Sequence, residues 1–338
     1  MDAAWLALAL TPGVGPKRFL RGFKAHPQDP ERAASALGVE KAYARLLASG
    51  KAEAAIAKTA ELGARVLGPM DPEYPEGLLH LPDPPPALYV RGELPSYKAA
   101  AAVVGTRRAS PWAAAFARDL AAALGRAGLW TVSGLARGID AAAHRGALEV
   151  GGKTLAVLGS GLDRVYPPEH RDLAQKATLV SEHPPGTDPR PEHFPRRNRL
   201  IAALSRAVAV VEAPERSGAL ITAGVALELG REVLAVPGRP TDLKSRGTNR
   251  LIQDGAFPLI EAQEVLRVLG IGENTAKDPE LPEHLKGLYR SLAELGEALP
   301  DDLAAQNGLS LPGVLAALSE LELLGLAEPM AGGRYRAR

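Results

Sequence analysis

Apolar and polar positions change rhythm along this chain and divide it into three regions. Residues 1 to about 67 carry Ala and Leu at helical spacing, broken at Pro12-Gly13-Val14-Gly15-Pro16 and around Gly38 and Gly50, which predicts a set of short helices. Short continuous apolar runs then alternate with longer amphipathic stretches. The runs Ala87–Val90, Ala100–Val104, Trp130–Ser133, Leu155–Leu158, Leu179–Ser181, Val208–Val211 and Val233–Val236 are expected strands. Ala113–Ala127, Asp140–Val150 and Leu220–Leu229 are expected helices between them. Strands that lack polar alternation and are joined by helices belong to parallel sheets covered on both faces. Region 68–271 therefore reads as α/β, an extended Rossmann-like doubly wound sheet.

The flanks read differently. Asp71 to Pro86 is crowded with prolines and is expected to be a connector rather than regular helix. A polar segment, Gly272 to Pro282, sets off a last region, 283–338. There Leu285–Leu295, Pro300–Gln306 and Leu311–Leu324 predict helices, and Gly332-Gly333 a β-wing, the pattern of a winged-helix-like domain. Its expected recognition helix begins at Ser310 and carries Glu320 and Glu322 with no basic residue, which favours packing or protein contact over the major groove. In the first region, 1–67, Leu10-Thr-Pro-Gly-Val-Gly-Pro-Lys-Arg18 has the helix–hairpin–helix (SAM-like) pattern. Such a turn offers backbone N–H groups to phosphates, or simply joins two packed helices.

Composition narrows the partners. A net charge of +1 over 338 residues rules out a uniformly basic coat, so any polyanion site must be a local patch. The cations are 29 Arg and 11 Lys, an excess that suits phosphate recognition and equally a GC-rich or thermophilic genome. With no cysteine there are no disulfides, thiolate metal sites or cysteine nucleophiles. No pair among the seven His has His-x-x-x-His spacing, so neither a metal nor another cofactor is expected. No apolar stretch reaches the roughly 18–20 residues of a membrane span, and the start lacks a basic n-region. A cytoplasmic protein without membrane contact is expected.

The candidate chemistry lies at the strand exits. His193-Phe-Pro-Arg-Arg-Asn-Arg-Leu-Ile-Ala202 places three arginines, an asparagine and a ring on the way into an apolar run, with no acid until Glu212. Arginine forks grip phosphate oxygens, and a ring offers a face for a base. The segment reads as a basic loop leading into a helix. Gly105-Thr-Arg-Arg-Ala-Ser110, Ser133-Gly-Leu-Ala-Arg-Gly-Ile-Asp140, Gly159-Ser-Gly161 and Ser181-Glu-His-Pro-Pro-Gly186 also follow strands, where open α/β sheets bind ligands. Ser217-Gly218 and Pro237-Gly238 come farther along. Glycines there are expected to bring backbone amides close to phosphates. Dinucleotide and phosphate-loop fingerprints are absent: Val104-Gly-Thr-Arg-Arg lacks the later glycines, and Gly152-Lys153-Thr154 leads into a strand. Ser133, Asp140 and His144 do not form a convincing nucleophile set.

In order, Gly105–Ser110, Ser133–Asp140, Phe194–Arg199 and Gly247-Thr-Asn-Arg-Leu-Ile252 resemble the motifs of the bacterial DprA (Smf) family. Tyr166-Pro167, Arg216-Ser-Gly-Ala-Leu-Ile-Thr222 and Val236-Pro-Gly238 are connecting matches, and the likeness is specific over about 70–270. The resemblance implies a non-enzymatic single-stranded DNA-binding protein of natural transformation. Such a protein protects incoming strands, helps load the RecA recombinase, and acts as a homodimer. It places DNA contact at Arg107 and at Phe194, Arg196, Arg197, Asn198 and Arg199. Arg190 is the nearest substitute for a lysine found before the aromatic in some relatives. Gly105, Thr106, Ser110, Gly134, Arg137 and Gly138 complete the expected DNA-binding set. The rival is a nucleoside-monophosphate glycosidic-bond hydrolase on a related Rossmann fold, whose doubled-glycine loop this chain lacks.

Overall fold

The computed structural model describes residues 1–271 and 281–337, and the chain divides into two units between residues 273 and 274. The polar break expected at Gly272–Pro282 lies outside the described residues except for its last two positions.

The larger unit is organised by a nine-stranded sheet. Its strands are β1 (Arg65–Leu67), β2 (Leu88–Arg91), β3 (Ala100–Val104), β4 (Trp130–Ser133), β5 (Thr154–Leu158), β6 (Thr178–Ser181), β7 (Ala207–Val210), β8 (Glu232–Ala235) and β9 (Phe257–Pro258). The order is β1-β2-β6-β5-β4-β3-β7-β8-β9. From β6 through β9 all neighbours are parallel, whereas β2 is antiparallel to both β1 and β6. Each strand expected from the sequence is present within a residue of its predicted ends. β1 and β9 were not predicted, because two or three residues are too few to show a period.

Helices α1 (Ala3–Leu10), α2 (Pro16–Ala25), α3 (Pro30–Ala36), α4 (Glu40–Ala48) and α5 (Lys51–Glu61) come first, and a single turn, α6 (Glu76–Leu79), interrupts the proline-rich connector. Then come α7 (Pro111–Arg126), α8 (Ile139–Glu149), α9 (Arg171–Lys176), α10 (His193–Ala203), α11 (Gly218–Glu228), α12 (Arg246–Gln253) and α13 (Gln263–Val268). The period of two sorts β3 cleanly. Ala100, Ala102 and Val104 pack with Leu200 and Ile201 of α10 and Ala219 and Ala223 of α11. Ala101 and Val103 pack with Ala117 and Leu120 of α7 and Ile139 and Ala143 of α8. Residues 1–67, expected as a domain of their own, share one buried cluster with the sheet: Trp5, Leu8 and Phe19 join Tyr89, Ala156, Leu158 and Leu179. In the predicted hairpin, Arg18 turns inward and donates to the carbonyls of Gly13 and Leu37.

The smaller unit has α14 (Glu283–Leu295), β10 (Glu297–Ala298), α15 (Pro300–Asn307), α16 (Leu311–Leu323), β11 (Ala327–Pro329) and β12 (Tyr335–Ala337). Its antiparallel sheet, β10-β12-β11, supplies the wing. The recognition helix α16 buries Val314, Leu318 and Leu321 and exposes Leu315 and Leu323. Among the described residues, no helix of either unit is long and apolar enough to cross a membrane.

Candidate nucleic-acid interface

The chain runs outward from β3 through β4 and β5 to β6, then crosses back to place β7 on the other side of β3. That reversal opens a crevice at the carboxyl ends of β3 and β7, the place where doubly wound sheets bind ligands. A cleft of about 610 Å³ lies there, walled by the turn after β3, the first turns of α10 and α11, and Pro214 and Arg216 from the β7 exit.

The turn after β3 is held from across the switch point. The Glu212 backbone carbonyl accepts from the Thr106 N–H at 2.7 Å. The fully buried Glu212 carboxylate accepts from the Ser110 N–H at 2.8 Å and the Ser110 hydroxyl at 2.7 Å. Ser110 also caps α7 by accepting from Ala113. Its hydroxyl therefore already has partners inside the protein. Arg107 and Arg108 project from this braced turn and are exposed.

The segment 194–199, expected as a basic loop, is the start of helix α10, which begins at His193. A helix turns successive residues by about 100°, so its three arginines part company. Arg196 is exposed and 3.5 Å from the Glu182 carboxylate. Arg199 is buried and paired to Glu182 and Asp83. Arg197 is 3% exposed and donates to the carbonyls of Gly134, at 2.7 Å, and Val157. Burial lowers its pKa to about 10, against the pull of Asp140, so it stays cationic at neutral pH. Arg197 and Arg199 thus have partners inside the fold, although Arg197 also lines the cleft. Asn198 spans two cleft walls, donating to the Gly218 carbonyl at 3.0 Å.

The glycines of the turn after β4 also serve packing rather than open amides. A Cβ on Gly134 would lie 2.5 Å from the Arg197 guanidinium. Gly138 has φ +75°, and a Cβ there would lie 2.3 Å from the Thr106 carbonyl oxygen. The N–H groups of Gly134 and Ala136 donate to Asp140. Asp140 borders the cleft, and burial pushes its carboxyl up, opposed by Arg197 and those two amides. Ser133 donates to the Val103 carbonyl and His144 pairs with Thr154 rather than with Ser133 or Asp140. Arg137 is exposed and ion-paired with Glu169. Arg190 is exposed between Pro189 and Pro191, both of which line the cleft.

Phe194 is half-buried, against Gly159. The Arg107 guanidinium sits 5.0 Å from its ring centroid, and the Tyr166 ring lies 5.6 Å away, tilted by 45°. Arg107, Arg108 and Arg216 all border the cleft and take part in no ion pair among the described residues. Sequence reasoning gave no site role to Arg108, Tyr166, Glu212 and Arg216. Three sat in or beside quoted motifs, but their convergence requires the crossover from β6 to β7. Glu212 follows directly on the apolar strand β7, and that position was its only signal in the sequence.

This architecture places the chain among Rossmann-like α/β proteins that carry a winged helix. The family model described as DNA recombination-mediator protein A matches residues 65–270, and the DprA winged helix domain matches residues 279–333. The chain belongs to the DprA family. It is 36% identical over 318 residues to Protein Smf of Synechocystis sp., covering 80% of each chain. It is 42% identical over 287 residues to Protein Smf of Escherichia coli, covering 80% of this chain and 77% of that one. The DprA structure from Streptococcus pneumoniae superposes with a TM-score of 0.70 at 32% identity, over 79% of this chain and 98% of that one. DprA from Helicobacter pylori, described for its single-stranded DNA binding mode, gives a TM-score of 0.54 at 30% identity, over 62% and 96%.

Proposed function

We propose that this chain binds single-stranded DNA in the β3–β7 cleft, shields it, and passes it as a homodimer to the RecA recombinase during transformation or recombination. The observation that carries strand binding is three guanidiniums without carboxylate partners among the described residues, Arg107, Arg108 and Arg216, lining one cleft with Phe194 and Tyr166. Cations that track a backbone, combined with rings on which bases stack, suit sequence-tolerant binding to single strands. A duplex keeps its bases stacked and offers only its phosphates. The Gly105–Ser110 turn supports the reading by fixing the base of Arg107. Thr106, Gly105 and Gly138 shape that turn and are not themselves the grip.

The test is fluorescence anisotropy with labelled oligo-dT and an equal-length duplex across several salt concentrations. Preference for the single strand, with a salt slope of about −0.7 per phosphate neutralised, supports the reading. Equal affinity for both forms, unchanged by Phe194→Ala, overturns it. For the hand-off, RecA strand exchange blocked by single-strand-binding protein is expected to recover when this protein is added. The rival hydrolase reading predicts base release from AMP, and none is expected, because the chain lacks the doubled-glycine loop of such hydrolases.

A further inference from the structure

The two shoulders of the cleft differ in charge pairing. On the β4–β6 side, cations meet acids: Arg137 pairs with Glu169, Arg164 with Asp163 and Asp188, and Arg196 with Glu182. Exposed ion pairs are weak individually, but each carboxylate cancels local positive potential whatever its exact geometry. On the β7–β8 side, Arg239, Lys244 and Arg246 are exposed and take part in no ion pair among the described residues. The acids there are Glu215, which is exposed, and Asp242, whose carboxylate accepts from the Lys244 N–H at 2.9 Å and the Ser245 hydroxyl at 3.5 Å.

This second group is physically continuous with the cleft. The Gly247 N–H donates to the Ala213 carbonyl at 2.8 Å. A Cβ at Gly247 would lie 2.8 Å from the carbonyl oxygen of Pro214, a cleft-lining residue. The start of α12, with Arg246 as its first residue, is therefore pressed against the cleft wall. The loop before it is stapled to the same helix. Asn249 accepts from the Gly238 N–H and donates to the Gly238 carbonyl, each at 3.0 Å. Neighbouring strands lie only about 4.8 Å apart, so the loop after β8 is the next surface that a strand leaving Arg216 would meet.

We infer that a bound single strand leaves the cleft in one direction, over the loop after β8, where Arg239, Lys244 and Arg246 hold the phosphates beyond Arg216. This rests on the strand-binding reading of the cleft and adds a path to it. A polyanion follows uncompensated positive charge: the opposite shoulder has Arg190 exposed without an ion pair among the described residues, whereas this one groups three such cations on one loop and the helix start beside it. Leu243, 63% exposed in the middle of the loop, offers an apolar surface beside those phosphates.

The experiment is a ladder of oligo-dT from about 4 to about 16 nucleotides, titrated against wild type and an Arg239→Gln/Lys244→Gln/Arg246→Gln variant. Wild-type affinity is expected to climb with length and then level off. The variant should match wild type on the shortest strands, level off earlier, and lose up to about two units of salt slope on the long ones. Arg164→Gln, on the other shoulder, should follow wild type throughout. A triple variant that tracks wild type at every length overturns the path, as does one that weakens the shortest strands equally. Wild-type protein that binds no oligo-dT at any length would instead remove the cleft reading itself. As a check independent of affinity, a photo-crosslinking residue at position 243 should trap long oligo-dT and spare short ones. Trapping of neither, at saturating strand, also overturns the path.

Discussion

The guanidinium of Arg107 lies over the ring of Phe194, 5.0 Å from its centroid, joining the turn after β3 to the first turn of α10. A cation over an aromatic face is worth about 0.5–1 kcal/mol at exposed sites. The two side chains thus form one unit at the cleft. Arg107→Ala should weaken oligo-dT binding and make the salt slope shallower by about one ion. Phe194→Ala should cost roughly 1–3 kcal/mol of affinity. Because the residues touch, the double variant should lose less than the sum of the two. Strict additivity in an anisotropy cycle would show that they act separately.

Arg197 predicts the opposite pattern. Its buried guanidinium satisfies the carbonyls of Gly134 and Val157 and opposes the buried Asp140. Removing one member of such a set leaves the others unpaired, at a cost of about 3–5 kcal/mol. Arg197→Ala should therefore lower the urea midpoint sharply, and Arg107→Ala should leave it near wild type. A stable Arg197→Ala protein with weakened DNA binding would return this residue to the interface.

These two arginines also mark how far the sequence could be read. Strand identity and order of elements were legible because β3, β5 and β7 are unbroken apolar runs between turns. The place of the cleft followed from strand exits. The fate of each arginine did not. Three cations within four residues look alike along the chain, but α10 turns Arg196 outward, Arg197 into the sheet and Arg199 toward Glu182. Their partners, Glu182, Asp83 and the Gly134 carbonyl, come from distant segments. The glycines misled for the same reason. Gly134 and Gly138 admit Arg197 and the Thr106 carbonyl, neighbours invisible to any local motif.

Gly138 supplies a backbone test. With φ at +75° and the Thr106 oxygen 2.3 Å from a built Cβ, alanine must displace the turn that carries Arg107. At φ +75° and ψ −124° the backbone lies in a region used almost only by glycine, which costs an L residue about 1–3 kcal/mol. Gly138→Ala should lose strand affinity by more than its fall in stability explains. Unchanged affinity in a folded Gly138→Ala protein would show that the turn's exact position is unimportant.

The proposed homodimer has a candidate interface at the open end of the sheet. β9 is the terminal strand, and Phe257 and the nearby Ile260 are 47% and 67% exposed. An edge strand with apolar side chains is a pairing surface, and two-fold pairing is the commonest closed association. Phe257→Glu or Ile260→Arg should convert the dimer to a monomer in light scattering, weakening long-strand binding through lost avidity. Dimers that persist in both variants would place the interface elsewhere.

The last prediction concerns acid. His144 is fully buried, with Nδ1 2.6 Å from the Thr154 hydroxyl, and burial first, then His170, Arg197 and Arg145, push its pKa down to about 3. His183, stacked on His193, is pushed down to about 4, chiefly by burial. In an unfolded chain both would titrate near 6.5. Between that value and their folded values, the unfolded state binds protons that the folded state refuses, so stability rises with pH. The contribution is complete above about pH 6.5 and is lost as pH falls toward 4. Asp140 and Glu182, both pushed up by burial, work in the other direction, so the total slope mixes opposing groups. A difference isolates the histidine. Urea unfolding of wild type and His144→Gln should diverge below about pH 6, with wild type steeper by about one proton, or about 1.4 kcal/mol per pH unit. Parallel curves from pH 7 to 4.5 would mean that His144 takes up its proton as readily in the folded protein as in the unfolded chain, and that burial does not depress it.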